Sequence, residues 1–156
     1  MKYVITIDPG KGGSGFAVWD YTKWKEKNLH TPIEYGIIRN KKIKVMLTEF
    51  DKLLIQYYPT DVYIEDAAYM SGDARTQATA RSGKLVILAE FIGQIMMLCI
   101  FNKAKFHLIS VAKWKGTLSK NIVARRVYRK LPRVDAKSHA MDAVGLGLYL
   151  QGHINQ

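Results

Sequence analysis

Short apolar runs separated by polar turns occupy the first third of the chain. Residues 2–8 alternate in hydrophobicity and are rich in β-branched side chains, which predicts a β-strand. The following "GKGGSG" predicts a turn with several positions free to adopt positive φ, and residues 16–20 predict a second, antiparallel strand. The polar segment "YTKWKEKNLHTP" is predicted to be a loop, and residues 33–39 predict a third strand. A three-stranded meander is therefore expected at the N-terminus.

The rest of the chain alternates between helical and strand patterns. The predicted elements are a helix over 43–57, a strand over 61–66, a helix over 77–101, a strand over 106–111, and helices over 120–130 and 136–150. Ser119 is predicted to cap the helix that Pro132 ends, and Gly145 and Gly147 are weak points of the last helix. This order predicts an α/β fold, a five-stranded mixed sheet flanked by helices.

Length and cysteine content limit the class of protein. A chain of 156 residues is expected to be one domain over 1–156 that needs no disulfide or structural metal to fold. The single cysteine, Cys99, lies in an apolar run, which indicates a core position and a reducing compartment. The chain opens directly on a strand pattern, so no signal peptide is expected. Residues 85–101 are short for a membrane span and contain Glu90 and Gln94, which predicts a buried or partner-facing helix instead.

The net charge of +11 indicates a polyanionic partner. Lys and Arg total 24 against 13 Asp and Glu, giving a pI of about 9.7. Nucleic acid is the first expectation for such a small basic domain, and a merely soluble basic surface is the alternative. The basic residues crowd into 103–137, which holds 11 of the 24, and a smaller group consists of Arg75, Arg81 and Lys84.

Acidic residues at element ends form the candidate site. Asp8 ends the first predicted strand, Glu65 ends the fourth, and His139 and Asp142 share one face of the last helix. Each alone has an ordinary interpretation, as a turn residue, a solvated acid or a local hydrogen bond. Converging carboxylates repel one another and usually hold a divalent cation. Oxygen ligands with one imidazole favour Mg²⁺ or Mn²⁺, whereas zinc is not expected.

Three motifs resemble a known family. The segments "IDPGKGGSGFAVWD", "VYIEDAAYM" followed by "ARSGKL", and "SHAMDAVGLGLYL" resemble the three acidic motifs of the RuvC family of Holliday-junction resolvases. The segment "SVAKWKGTLSKNIVARRV" resembles the basic segment of that family. The resemblance spans nearly the whole chain and implies a ribonuclease H-like fold. It also implies that two Mg²⁺ ions, replaceable by Mn²⁺, are held by Asp8, Glu65, His139 and Asp142, the third position being Asp in some members and His in others.

The resemblance also implies an activity and partners. Family members are homodimers that cut four-way or branched DNA, and two-metal hydrolysis leaves 5′-phosphate and 3′-hydroxyl ends. The helix over 85–101 fits a two-fold interface, although covering its own sheet explains it equally well. The expected setting is the cytoplasm of a bacterium or of a phage-infected host, and no membrane is expected as a partner.

The resemblance names several DNA-binding residues. Lys113, Lys115 and Lys120 correspond to basic residues that contact the scissile phosphates, with Lys120 the strongest candidate and also assigned to catalysis. The further DNA-binding candidates are Tyr69, Arg75, Arg81 and Lys84. Tyr69 would stack at the crossover but lies one residue farther from Glu65 than the family pattern, so an insertion or a lost role stays open.

Other residues near the motifs have weaker claims. Trp24 and Trp114 can stack on bases but are typical packing residues, and Asp66 and Asp135 are expected to be supporting or solvated acids.

Two functional alternatives stay open. The first is a non-catalytic basic DNA-binding module on the same fold. The second is an actin-like or sugar-kinase-type nucleotide-binding protein, because Asp-x-Gly at a first hairpin also opens those ATPases. They require a second phosphate hairpin and an adenosine-binding segment, and neither is evident in this sequence.

Overall fold

A computed structural model describes residues 1–67 and 83–155 of the chain. The strands in these ranges are β1 (Tyr3–Asp8), β2 (Ser14–Asp20), β3 (Glu34–Ile38), β4 (Asp61–Asp66) and β5 (Lys105–Ser110). The helices are α1 (Tyr21–Lys25), α2 (Ile43–Tyr57), α3 (Lys84–Phe101), α4 (Val111–Trp114), α5 (Lys120–Lys130) and α6 (His139–Leu150).

The five strands form one mixed sheet in the order β3-β2-β1-β4-β5. The first three strands pair antiparallel as a meander, and β4 pairs parallel with both β1 and β5. Ile7 of β1 lies opposite Ile64 of β4, so the next residues on each strand emerge at the same edge of the sheet. The predicted five-stranded mixed sheet flanked by helices is confirmed.

Alternation along the strands divides the core between the two faces of the sheet. Val4, Ala17 and Trp19 face one side, where they pack with residues of α5 and α6. Ile5, Ile7 and the neighbouring apolar residues face the other side, where they pack with α2 and α3. Both faces are covered, as expected for strands whose side chains are almost all buried.

Helix α6 packs closely against both the sheet and α5. A Cβ atom at Gly147 would stand 2.2 Å from the Trp19 ring, and one at Gly145 would stand 2.9 Å from Val123. The two glycines predicted as weak points thus lie within a continuous helix, where they admit large neighbours. Their packing function depends on tertiary contacts that the local pattern does not contain.

Several boundaries differ from the prediction because short polar caps create extra turns. Helix α1 interrupts the predicted loop, since Asp20 accepts a hydrogen bond from the Lys23 N–H at 3.0 Å. Ser110 likewise starts the unpredicted α4. Ser119 is at the N-cap position of α5, but its side chain makes no capping hydrogen bond. The last helix begins at His139 rather than 136. Residues 77–82 of the predicted long helix are outside the described residues.

Candidate functional site

Two adjacent strand ends supply the acidic part of the site. Asp8 is the last residue of β1 and is 4% exposed. Glu65 is the residue after Ile64 on β4, the parallel neighbour of β1. Because β1 and β4 are parallel neighbours and Ile7 lies opposite Ile64, the carboxyl groups of the next residues, Asp8 and Glu65, emerge side by side. They lie next to α6.

The N-terminus of α6 adds an imidazole and a third carboxylate. Gly15 pairs with Asp8 across the meander, and a Cβ on Gly15 would stand 1.9 Å from the His139 carbonyl oxygen. The absence of a side chain at Gly15 therefore lets α6 start directly against β2 beside Asp8. The His139 Nδ1 atom lies 2.5 Å from Asp8 Oδ2. Asp142, one turn along the helix, is 3% exposed.

A buried hydroxyl holds α6 in this position. The Thr6 side chain donates a hydrogen bond to the Ala143 carbonyl oxygen at 2.8 Å and accepts one from Trp19 Nε1 at 3.0 Å. Thr6 belongs to β1 and Trp19 to β2, so one hydroxyl connects both strands to the middle of the helix. The contact fixes the helix relative to Asp8, two residues further along β1.

The turn between β1 and β2 is internally hydrogen-bonded. The Gly10 N–H donates to Ser14 Oγ at 3.1 Å, and the Ser14 hydroxyl lies 3.2 Å from the Gly10 carbonyl oxygen. Gly12 has a φ of 85°, as the glycine-rich sequence predicted. A Cβ at Gly10 would stand 2.9 Å from the His139 ring, so this turn also limits where the imidazole can lie.

Two consecutive residues after β5 contact the acids from the other side. Trp114 Nε1 donates a hydrogen bond to Glu65 Oε2 at 2.8 Å. Lys115 Nζ lies 2.7 Å from Asp142 Oδ2, and Lys115 is 9% exposed. Lys120 Nζ lies 3.8 Å from the same oxygen, with more than half of its side chain exposed.

The site crowds negative charge in a poorly hydrated place. Burial and then the nearby Asp8 raise the pKa of Glu65 to about 8, with the Lys115 ammonium opposing the rise. Burial also raises the pKa of Asp142, again opposed by Lys115. A divalent cation would relieve this repulsion, so the donor chemistry fits one. Within residues 1–67 and 83–155, no three His, Cys, Asp or Glu side chains lie close enough together to enclose a metal ion as they stand.

The remaining predicted residues are distributed around the site. Lys113 is exposed on α4, and Lys84 is exposed at the first residue of α3. Ile87 of α3 lines the same small cavity as Gly10, which places the start of α3 at the same end of the sheet as Asp8. The predictions for Tyr69, Arg75 and Arg81 fall outside the described residues.

Four further residues had weaker claims to a functional role from the sequence, namely Trp24, Trp114, Asp66 and Asp135. Trp114 is 2% exposed, and the Trp24 ring stacks on Tyr63 with centroids 5.6 Å apart, so both are packing residues. Asp66 is half-buried at the end of β4. Asp135 is exposed, and its backbone N–H donates to the Tyr35 hydroxyl at 3.2 Å.

Sequence reasoning missed the contacts of Trp114, Lys115 and Gly15. Trp114 is the last residue of α4 and Lys115 follows it, and α4 begins directly after β5, the neighbour of the strand that carries Glu65. That order was the available signal for Trp114, because segments that follow adjacent parallel strands lie at the same edge of the sheet. Nothing local marked Gly15 as the residue against which the last helix begins.

Comparison with known proteins supports the resemblance. No protein-family model matches the chain. The crossover junction endodeoxyribonuclease RuvC of Fusobacterium nucleatum subsp. nucleatum is 29% identical over 93 residues. That match covers 55% of this chain and 47% of the relative, so it spans about half of the relative's length.

Two solved structures have the same fold over almost the whole chain. T. thermophilus RuvC in complex with a Holliday junction substrate superposes with a TM-score of 0.64 at 17% identity, covering 96% of this chain and 92% of that one. Fowlpox virus resolvase, in complex with Holliday junction DNA, gives 0.58 at 14% identity, covering 97% and 99%. The predicted ribonuclease H-like fold and the resemblance to RuvC are confirmed.

Proposed function

We propose that this RuvC-like chain is a structure-selective DNA endonuclease that cuts four-way or branched DNA by metal-dependent phosphodiester hydrolysis. The observation that carries the proposal is the meeting of Asp8, Glu65, His139 and Asp142 at one edge of the sheet. Residues 1–156 would form a single nuclease domain acting in the cytoplasm of a bacterium or a phage-infected cell. Its processes would be DNA recombination and repair.

The four residues would hold two divalent cations, with Mg²⁺ as the expected ion and Mn²⁺ able to substitute. When bound, such ions activate a water molecule for attack on the phosphorus and stabilise the leaving 3′ oxygen, which yields 5′-phosphate and 3′-hydroxyl ends. His139 takes the place of a carboxylate found in some RuvC-family members. It lowers the negative charge of the site by one, which supports weaker Mg²⁺ binding and better use of Mn²⁺.

Basic residues around the site would bind the DNA backbone. Lys120 has an exposed side chain whose ammonium lies 3.8 Å from Asp142, so it can reach a phosphate placed over the acids. Lys113 and Lys84 are exposed on neighbouring elements, and the net charge of +11 adds a general attraction. Tyr69, Arg75 and Arg81 stay candidates for DNA binding.

A second copy of the chain is the proposed partner of α3. The buried residues Phe91, Ile92, Ile95 and Cys99 face the sheet. The opposite face exposes Val86, Met97 and Ile100, spaced by 11 and 3 residues, and Phe101 beside them is 73% exposed. By length and composition alone α3 would also pass for a membrane span. Its packing on the sheet and the two-fold symmetry of a junction favour a homodimer instead.

The first test is cleavage of a synthetic mobile four-way junction beside a matched linear duplex, with Mg²⁺, Mn²⁺ or EDTA. Wild type should give paired symmetric nicks only on the junction and only with metal. Asp8→Asn should bind the junction without cutting it, and Asp135→Asn, which changes an exposed acid outside the predicted ligand set, should cut normally. Junction binding without cleavage in any metal would identify a non-catalytic DNA-binding module.

Two further readouts test the residues and the partner. Glu65→Gln should abolish turnover while circular dichroism stays unchanged, and Glu49→Gln on α2 is the control. Junction affinity should fall steeply with salt, with a log–log slope of about −0.9 per phosphate neutralised. A slope near zero would contradict a nucleic-acid partner, and normal cleavage by Glu65→Gln would contradict the ligand assignment.

A further inference from the structure

The dipeptide Trp114–Lys115 contacts two acids that come from different elements. Trp114 Nε1 donates to Glu65 of β4 at 2.8 Å, and Lys115 Nζ pairs with Asp142 of α6 at 2.7 Å. The Lys115 backbone N–H closes the turn by donating to the Val111 carbonyl oxygen at 2.9 Å. The end of α4 therefore contacts two acids of the cluster, Glu65 and Asp142, at the same time.

Lys115 is unusual for its burial. Among the described residues it is the one buried Lys or Arg, and its ammonium also lies 5.3 Å from the centroid of the Trp114 ring. An ammonium removed from water is costly unless an opposite charge is close, so the contact with Asp142 is required to keep it there. Asp142 in turn is 3% exposed and close enough to Asp8 to be repelled by it. The pair is mutually stabilising in the metal-free protein.

The Lys115 ammonium occupies an oxygen of Asp142 that a bound metal ion would need. Lys115 lies on Asp142 Oδ2, and the more distant Lys120 approaches the same atom. A divalent cation on Asp142 would stand next to the Lys115 ammonium, and two cations at such short range repel strongly. The two occupants are therefore competitors for one carboxylate.

We propose that Lys115 is an internal counter-cation that exchanges with the divalent metal at Asp142. In the metal-free protein the ammonium neutralises Asp142 and holds α6 against the turn after β5. When a cation binds, the Lys115 ammonium leaves Asp142 and becomes accessible to solvent and DNA beside Lys120. The Trp114 indole keeps its hydrogen bond to Glu65. This inference rests on the proposed function, because it requires that Asp142 binds metal, and it assigns Lys115 a positioning role instead of a fixed phosphate contact.

The first measurement is Mn²⁺ binding by calorimetry, in the absence of DNA, for wild type and Lys115→Met. Removing the competing ammonium should tighten Mn²⁺ binding by about tenfold and lower the melting temperature in EDTA. Lys44→Met, which removes an exposed lysine of α2, should match wild type in both. Lys120→Met should give a smaller change than Lys115→Met, because its ammonium is farther from Asp142 and exposed.

The second measurement uses the wild-type protein, so it stands even if Lys115→Met does not fold. Lysine amines are labelled by reductive methylation with EDTA or with saturating Mn²⁺, and the modified sites are mapped by mass spectrometry. Lys115 should be protected in EDTA and labelled with Mn²⁺, whereas Lys44 should be labelled equally in both.

The outcomes separate the two proposals. Equal Mn²⁺ affinity of wild type and Lys115→Met, or labelling of Lys115 that does not respond to Mn²⁺, would overturn the exchange and leave the nuclease proposal intact. No Mn²⁺ binding by either protein would overturn both.

Discussion

Two long apolar helices cover opposite faces of the sheet, and they are enclosed to very different degrees. In α6 every residue from Ala140 to Leu148 is buried, between the sheet on one side and α5 on the other. In α3 only four of 18 residues are buried, and large apolar side chains face outward. Their hydrophobic content is similar, so enclosure and not composition distinguishes them.

The difference matches what each helix carries. The enclosed α6 carries His139 and Asp142, whose positions relative to Asp8 would have to be held closely for the proposed metal chemistry. The half-covered α3 carries no member of the acidic cluster, and its outer face is the proposed contact with a second copy of the chain. Perturbing α6 is therefore expected to affect folding and chemistry together, whereas perturbing the outer face of α3 should affect assembly alone.

The largest expected effect comes from adding a side chain to α6. Gly147→Val should destabilise the protein by about 3–5 kcal/mol in urea denaturation, because the new atoms overlap the rigid Trp19 ring. On α3, a Cβ atom added at Gly93 would meet open space, so Gly93→Ala should stabilise by about 0.5–1 kcal/mol. The second variant is measured in the Met97→Glu background to remove any dimer. Equal costs on both helices would contradict the comparison.

The next effect is a pH dependence of stability that comes from Glu65, on the face of the sheet that α6 covers. The pKa of Glu65 is about 8 in the fold against an ordinary 4.5, so its contribution to stability is full below pH 4.5 and is lost as the pH rises through 8. In EDTA, the free energy of unfolding should fall by about 3–4 kcal/mol between pH 5 and 8.5 relative to Glu65→Gln. Parallel pH profiles for wild type and Glu65→Gln would show that the fold does not raise the pKa of Glu65.

A smaller effect is expected from the hydroxyl that fixes α6. Thr6→Val leaves the buried Trp19 N–H and the Ala143 carbonyl oxygen without this partner and should cost about 1–3 kcal/mol. Thr48→Val on α2 is the control, since that exposed hydroxyl bonds only within its own helix. Junction cleavage should also decrease for Thr6→Val, because α6 carries His139. An unchanged stability would show that the hydroxyl network does not hold the helix.

The smallest effect on stability is expected on the outer face of α3. Met97→Glu, at a position 48% exposed, should change protomer stability by less than about 0.5 kcal/mol. Light scattering should show that it converts a dimer into a monomer, whereas Ile55→Glu on α2, also 48% exposed, should leave the dimer intact. A wild-type monomer at micromolar concentration would contradict the proposed interface.

Much of the fold could be predicted because it depends on local pattern. Alternation identified the strands, and helical spacing identified α2 and α5 with bounds that match the structure. Helices α1 and α4 were missed, because capping side chains rather than hydrophobic period begin such turns. The last helix begins three residues later than predicted, at His139, and its N-cap residue Ser138 makes no capping hydrogen bond through its side chain.

The sequence by itself determined which residues end the strands, and therefore that Asp8 and Glu65 would lie together at one edge of the sheet. Only the tertiary structure decided that α6 begins against Gly15, that Trp114 donates to Glu65 and that Lys115 pairs with Asp142. The physical reason is range. Periodicity encodes which face of an element is apolar, whereas these contacts join residues 27 to more than 100 positions apart and depend on how closely the backbones approach.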